Sequence, residues 1–172
     1  MAAYWNRKQV TPGEVAYAGV IAGILAGIAM AIVSMGWAMM TGRGAWTPVK
    51  MIAVTVLNRS WLDRPGFQFT PVMVGMIIHF ATAIGFGIIF SLIGGRLSYG
   101  QAISWGIVYG LGIWLFMQFL WLPMVNPVMA QMPSLPFAIE HAIFGGFLGT
   151  YPAFLGSRAE TQIGRERERL AA

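Results

Sequence analysis

Four long stretches with almost no charged residues restrict the possible folds more than any other feature of this sequence. They cover about residues 15–40, 72–93, 101–122 and 136–155. A bilayer core of about 30 Å requires about 20 mainly apolar residues for each helical crossing, and every stretch supplies them. None shows the period-two alternation of β-barrel strands. The sequence therefore predicts an all-α polytopic membrane protein, in which four transmembrane helices form a single membrane domain.

The composition agrees with a membrane protein and excludes several classes of function. Of the 172 residues, 57% are hydrophobic and 10% are charged, whereas a typical soluble domain has about 25% charged residues. This balance excludes a soluble enzyme and a nucleic-acid-binding domain. The absence of cysteine excludes disulfides, zinc–thiolate sites and thiol catalysis. Because the sequence also lacks a Ser/His/Asp set, an HExxH motif and a phosphate-binding loop, we expect no enzymatic activity.

The distribution of basic residues predicts the orientation of the bundle. Four spans place both termini on one side of the membrane, and that side carries seven of the 11 Lys and Arg residues. These seven are Arg7, Lys8, Arg96, Arg158, Arg165, Arg167 and Arg169. Since basic segments remain in the cytoplasm, we predict a multi-pass protein of the inner (plasma) membrane with both termini cytoplasmic. Residues 158–172 form its charged cytoplasmic tail.

Two segments are predicted to lie on the external side. In the first external loop, Thr47 and Pro48 are typical of a helix start. They predict a short interfacial helix over about residues 48–58, with Lys50 off its apolar face; a half-buried cap over the mouth of the bundle is the alternative. The second external loop, residues 123–136, is uncharged and contains four prolines. Because this loop is so apolar, we expect it to pack against the membrane interface, a partner subunit or the bundle itself.

Small residues recur four positions apart in every predicted span. Lipid tails provide no hydrophobic drive between helices, so close backbone approach must supply the attraction. The resulting GxxxG packing favours contacts within the chain over homodimerisation. The glycines concerned are Gly19, Gly23, Gly27, Gly106, Gly110, Gly145 and Gly149, and in the second span the pairs are Ala81–Gly85 and Ala83–Gly87.

Ionisable residues inside the spans are the candidate functional residues, because burying them in a membrane is costly. Both histidines of the chain, His79 and His141, lie within predicted spans. At 1.5 Å per residue, both are expected roughly 8–12 Å below the outer surface. Glu140 adjoins His141, and Gln118 lies at a similar depth on the third span. These four side chains are predicted to form one polar cluster in the outer leaflet.

The residue types in this cluster leave several interpretations open. Two histidines at one level on separate helices are what bis-imidazole ligation of haem b requires, with His79 and His141 as the iron ligands. Alternatively, histidine and Glu140 could bond the oxygens of a quinone and exchange protons with it, and imidazole also binds copper or zinc. The histidines could instead hydrogen-bond neighbouring helices and specify packing, or line a path for protons or solutes.

Several segments occur in an order that is similar to the layout of a known protein family. The resemblance rests on the glycine-rich residues 19–27, His79, residues 106–110 and residues 141–149. Over about residues 19–155, this layout is similar to that of uncharacterised four-span prokaryotic inner-membrane proteins of the YagU-like type. The resemblance implies an inner-membrane location and no assigned reaction.

Small size, the lack of a soluble domain and the apolar second external loop together predict a function. We expect a non-catalytic accessory or assembly subunit of a larger membrane complex, surrounded by lipid and by partner subunits or further copies of itself. The sequence assigns it no certain cofactor, and haem b is the candidate. The alternative is a haem-binding or quinone-binding electron-transfer subunit. A small transporter or channel is less favoured, because no span has a polar stripe along its full length.

Overall fold

The computed structural model describes residues 10–95 and 97–155, and all regular secondary structure in these ranges is helical. The α-helices are α1 (Pro12–Met40), α2 (Thr47–Ala53), α3 (Phe69–Gly94), α4 (Tyr99–Phe116), α5 (Leu122–Val125) and α6 (Ser134–Leu148). A π-helical segment, Met117–Trp121, joins α4 to α5, and 3₁₀ segments lie at Arg59–Asp63, Met129–Gln131 and Tyr151–Phe154. The predicted tail at 158–172 and the basic residues at 7, 8 and 96 lie outside the described residues.

Three helical stretches in the described ranges are long and apolar enough to cross a membrane: Pro12–Met40, Phe69–Gly94 and Tyr99–Val125. They confirm an α-helical architecture of the membrane type. The segment predicted as a fourth span, 136–155, differs, because α6 contains only 15 residues and ends at Leu148. Pro152 has no N–H to donate to the carbonyl of Leu148, and it disfavours the helical conformation of the residue before it. The chain therefore leaves the α-helix and forms a 3₁₀ turn.

Two helices begin at capping boxes. The backbone N–H of Thr11 donates to Glu14 Oε2 at 2.8 Å, and Thr11 Oγ1 accepts from the Glu14 N–H at 3.3 Å. At the start of α4, Ser98 and Gln101 form the same reciprocal arrangement. Because each box satisfies N–H groups that a helix start leaves free, it fixes where the helix begins.

Close backbone approach determines which helices pack together. Helix α1 packs on α3 and α6, and α6 packs on α4, whereas α3 and α4 make few contacts although they are adjacent in the sequence. A Cβ added at Gly23 of α1 would lie 2.7 Å from the carbonyl oxygen of Ala83 in α3. A Cβ at Gly110 of α4 would meet the carbonyl oxygen of His141, and one at Gly145 would meet that of Gly106. The helices therefore follow the spatial order α3, α1, α6, α4.

The connection between α1 and α3, residues 41–68, packs onto the bundle through α2. The backbone of Val49 lies against Gly75 of α3, where a Cβ would meet the Val49 carbonyl. Lys50, expected off the buried face, is only 2% exposed, and its Nζ donates to the carbonyl of Arg64 at 2.5 Å. The helix expected to extend to residue 58 ends at Ala53, and Val56 is 65% exposed. Helical periodicity did not predict the burial of Lys50 correctly, because this burial depends on a hydrogen bond to a carbonyl distant in the sequence.

The connection between α5 and α6, residues 126–133, packs against α2. Asn126 is buried, and its Nδ2 donates to the Met51 carbonyl at 2.8 Å and to Thr55 Oγ1 at 2.9 Å. Its Oδ1 accepts from the backbone N–H of Met129 at 3.1 Å. One amide side chain therefore holds together two connections that are more than 70 residues apart.

Tyr151 fixes the other end of the bundle. Its side chain is fully buried, its hydroxyl donates to the carbonyl of Gly94, and its ring meets the Phe90 ring edge-on at 5.8 Å. Since Gly94 is the last residue of α3, the turn after α6 lies at the C-terminal end of that helix. Helix α6 and its turn together extend from the α2 region to that end of α3.

Candidate functional site

His79 and His141 line the same cavity, of about 380 Å³. It lies between α3, α4 and α6, and α1, α2, Thr55, the π-helical segment, α5 and Met129 complete its wall. Apart from the two imidazoles and the hydroxyls of Thr55 and Thr82, the lining is aliphatic, aromatic or methionine. Such an apolar cavity with a few convergent polar groups is typical of a small-molecule site. We call it the histidine cavity.

The histidine cavity exists because α3 and α4 separate from one another. Near the turn between them, Tyr109 donates to the carbonyl of Phe86 at 3.4 Å and its ring lies 5.1 Å from that of Phe90. Farther from the turn, Thr82, Phe116 and Trp121 line the cavity and are also exposed on the outside of the bundle. The cavity therefore opens sideways, between α3 and α4.

Each histidine is held by one backbone carbonyl. His79 Nε2 lies 2.9 Å from the carbonyl oxygen of Gly27 on α1. His141 Nδ1 lies 2.8 Å from the carbonyl oxygen of Phe137, one turn earlier on α6, and its ring packs edge-on against Phe137 at 4.4 Å. His141 is 5% exposed and His79 is half-buried. These contacts fix both rings at the cavity wall.

The hydrogen bonds also determine what the rings offer to a ligand. A carbonyl oxygen only accepts, so His79 Nε2 and His141 Nδ1 must each carry a hydrogen. In a neutral imidazole, which apolar surroundings favour, the second nitrogen is then an acceptor. In the described part of the chain, no hydrogen bond reaches His79 Nδ1 or His141 Nε2. The site therefore presents two nitrogen atoms that accept a hydrogen bond or ligate a metal.

Glu140 does not line the histidine cavity. Adjacent residues of an α-helix are rotated by about 100°, and Glu140 accordingly lines a second cavity, of about 50 Å³. The Ser34 hydroxyl is hydrogen-bonded to its carboxyl group, whereas its buried Oε1 has no hydrogen-bond partner. His79 lines both cavities, so it connects the carboxyl group with the histidine cavity.

Gln118 lies apart from the two histidines. It is buried in the π-helical segment, and its Nε2 donates to the carbonyls of Ala130 at 2.8 Å and Met132 at 3.4 Å. It therefore supports the connection between α5 and α6 and does not contribute to the wall of either cavity. Of the four residues expected in one cluster, the structure brings the two histidines together and places Glu140 beside them.

Comparison with protein-family models, curated proteins and solved structures finds no match for this chain. Within residues 10–95 and 97–155, no three or more His, Cys, Asp or Glu side chains are grouped so that they could hold a metal ion. The histidine cavity offers two imidazole nitrogen acceptors at a mainly apolar wall.

Proposed function

We propose that the protein binds a lipid-soluble compound of the quinol class in the histidine cavity, and that it does so as a non-catalytic subunit of a larger membrane complex. The observation that carries this proposal is the pair of acceptor nitrogens, His79 Nδ1 and His141 Nε2, at one apolar cavity. An aromatic ring suits the apolar wall. A hydrocarbon tail would leave through the opening between α3 and α4, into the lipid.

Hydrogen-bond polarity favours the reduced ligand. The two hydroxyl groups of a quinol donate, so each pairs with one imidazole acceptor. The carbonyl oxygens of a quinone only accept, so a bound quinone would place its oxygens against imidazole nitrogens that also only accept. A buried polar group without a partner costs about 1–3 kcal/mol. We therefore expect the cavity to prefer quinol over quinone.

Anaerobic titration of the purified protein with a short-chain benzoquinol and its quinone tests the proposal. The quinol is expected to bind at least about tenfold more tightly, since one unsatisfied group costs about 1.4 kcal/mol or more. His79→Leu and His141→Leu should each weaken quinol binding about tenfold and reduce the preference for quinol. Ser104→Ala is the control, because the Ser104 hydroxyl is exposed on α4 and lies outside both cavities. It should change neither the affinity for quinol nor the preference for quinol over quinone. Equal binding of both redox forms by the unmodified protein would contradict the proposal.

A bis-histidine haem is the second candidate. A histidine that donates one N–H to a backbone carbonyl is the usual arrangement of a metal-ligating imidazole, and both residues have it. His141 offers Nε2 and His79 offers Nδ1. Protein from haem-replete cells should then show a Soret band that His79→Ala and His141→Ala each abolish. A spectrum without the band would exclude haem and leave the quinol.

We also propose that α6 and its turn form a fourth span. Support comes from Tyr151, which reaches the last residue of α3, and from Gln118 and Asn126, which hold the start of α6 near α2. Because the chain lacks cysteine, single cysteines can be labelled without background. An impermeant maleimide should label Asn58→Cys and Met124→Cys from outside, but Ala171→Cys only after permeabilisation. Labelling of Ala171→Cys from outside would indicate three spans.

Exposed apolar side chains support the proposal of a partner subunit. Met124 and Leu135, on either side of the connection between α5 and α6, are 75% and 72% exposed. In a four-span topology this connection lies at the external end of the bundle, where a partner would cover such side chains. Protein solubilised in mild detergent should therefore migrate together with other chains, and migration as a lone monomer would count against a subunit role.

A further inference from the structure

The cavity of about 50 Å³ beside Glu140 has an unusual wall. It lies below α2, between α1, α6 and the connection that follows α5. Its polar and sulfur-bearing residues are Met30, Met35, Met129, Met132, His79 and Glu140, together with Ser34. Four of the 12 methionines of the chain thus surround this one small space. We call it the thioether cavity.

The unpaired carboxyl oxygen of Glu140 indicates that this cavity holds a hydrogen-bond donor or a cation. The residue is 2% exposed, and its buried Oε1 has no hydrogen-bond partner. A buried carboxyl oxygen without a donor or a cation is costly, most of all in the interior of a membrane protein. The cavity that it lines is the place from which a donor or a cation can reach it.

The methionines indicate which occupant suits the site. Methionine commonly fills irregular gaps in a core, but here four methionines border a space that remains open and that contains a carboxyl group. Thioether sulfur is a soft ligand that selects Cu(I), and imidazole nitrogen also binds copper. Hard cations such as Ca²⁺ prefer six to eight oxygen ligands, which this wall does not provide.

We propose that the thioether cavity binds a single Cu(I) ion. Sulfur atoms of the surrounding methionines serve as ligands, and the carboxylate of Glu140 completes the site and balances the charge of the ion, whereas His79 Nδ1 remains the acceptor of the histidine cavity. His79, Met30 and Met129 also line the histidine cavity, so the ion reaches its site from that side. The proposal does not depend on the quinol, because Met35, Met132 and Glu140 line the thioether cavity alone.

Anaerobic titration of the purified full-length protein with Cu(I), in competition with a coloured Cu(I) chelator, tests the proposal. One ion per chain is expected, and X-ray absorption should show sulfur scatterers together with nitrogen or oxygen. The double variant Met35→Leu, Met132→Leu should weaken Cu(I) binding at least tenfold, and Glu140→Gln should also weaken it. Leucine conserves the volume of methionine, so these changes leave the fold intact.

The matched control is the double variant Met39→Leu, Met40→Leu, in which the same change is made at exposed positions of α1. It should bind Cu(I) as the unmodified protein does. Equal losses in both double variants, or no bound Cu(I) in the unmodified protein, would overturn the proposal. In that case the partner of Glu140 Oε1 is a water molecule, for which the cavity is large enough. Quinol binding by Met35→Leu, Met132→Leu should persist, so that failure of the copper site and failure of the quinol site remain distinguishable.

Discussion

Replacement of Gly145 by alanine is expected to separate α6 from α4 and to lower the free energy of unfolding by about 3 kcal/mol, the upper part of the range for overpacked cores. The added methyl group would meet the carbonyl oxygen of Gly106 and the Cα of Gly110. Both obstacles are backbone atoms, which cannot move aside as a flexible side chain can. The helices must therefore separate, and close approach is what attracts helices to one another in lipid.

Gly112→Ala is the matched control for this prediction. Gly112 lies on the exposed side of α4, and a Cβ there meets nothing within 4 Å. Because alanine is favoured over glycine in a helix by about 1 kcal/mol, the control should stabilise the protein slightly. Thermal unfolding in detergent, followed by circular dichroism, measures both variants. Similar melting temperatures for the two would show that α4 and α6 do not pack through Gly145.

Asn126→Ala is expected to have the second largest effect, a loss of about 2 kcal/mol, as is typical when buried groups lose their hydrogen-bond partners. The substitution removes the donor to Met51 and Thr55 and the side-chain acceptor for Met129. Residues 126–133 would then detach from α2. Since Met129 and Met132 both lie in this segment, the thioether cavity would open as well.

Hydrogen exchange is the most direct measurement of this effect. Backbone amides at 47–55 and 126–133 should exchange faster in Asn126→Ala, whereas those within α1 should not change. Asn58→Ala provides the comparison, because Asn58 is exposed and its side chain accepts only a local hydrogen bond, from Ser60 at 2.9 Å. Equal protection of 126–133 in the two variants would contradict the role assigned to Asn126.

The long apolar stretches predicted the helices well because hydropathy and length are local properties. The stretch at 15–40 became α1, and Thr11, Pro12 and Glu14 carry the signals that place its start. The stretch at 101–122 lies within the run Tyr99–Val125. The stretch at 136–155 was predicted less well, because Pro152 ends the α-helix early in a segment whose composition remains apolar.

The sequence predicted that the two histidines lie near one another, but it did not predict the arrangement of the whole candidate cluster. Counting residues along two helices predicted that His79 and His141 come near one another, and both line the histidine cavity. The same count placed Gln118 with them, although its amide bonds the chain that follows α5. Asn126 and Tyr151 carry no sequence signal of their own, because an isolated Asn or Tyr becomes structurally important only through the distant carbonyl that it meets.

The sequence by itself determined the class of the protein, the approximate extent of its helices and the two histidines as the ionisable groups of interest. Each of these follows from residues close together in the chain. The tertiary structure alone decided that α3 and α4 separate and leave a cavity, and that each histidine keeps one nitrogen free. It also decided that methionines of α1 meet those after α5 around Glu140. These features depend on distances between helices, which are set by where glycines permit two backbones to touch.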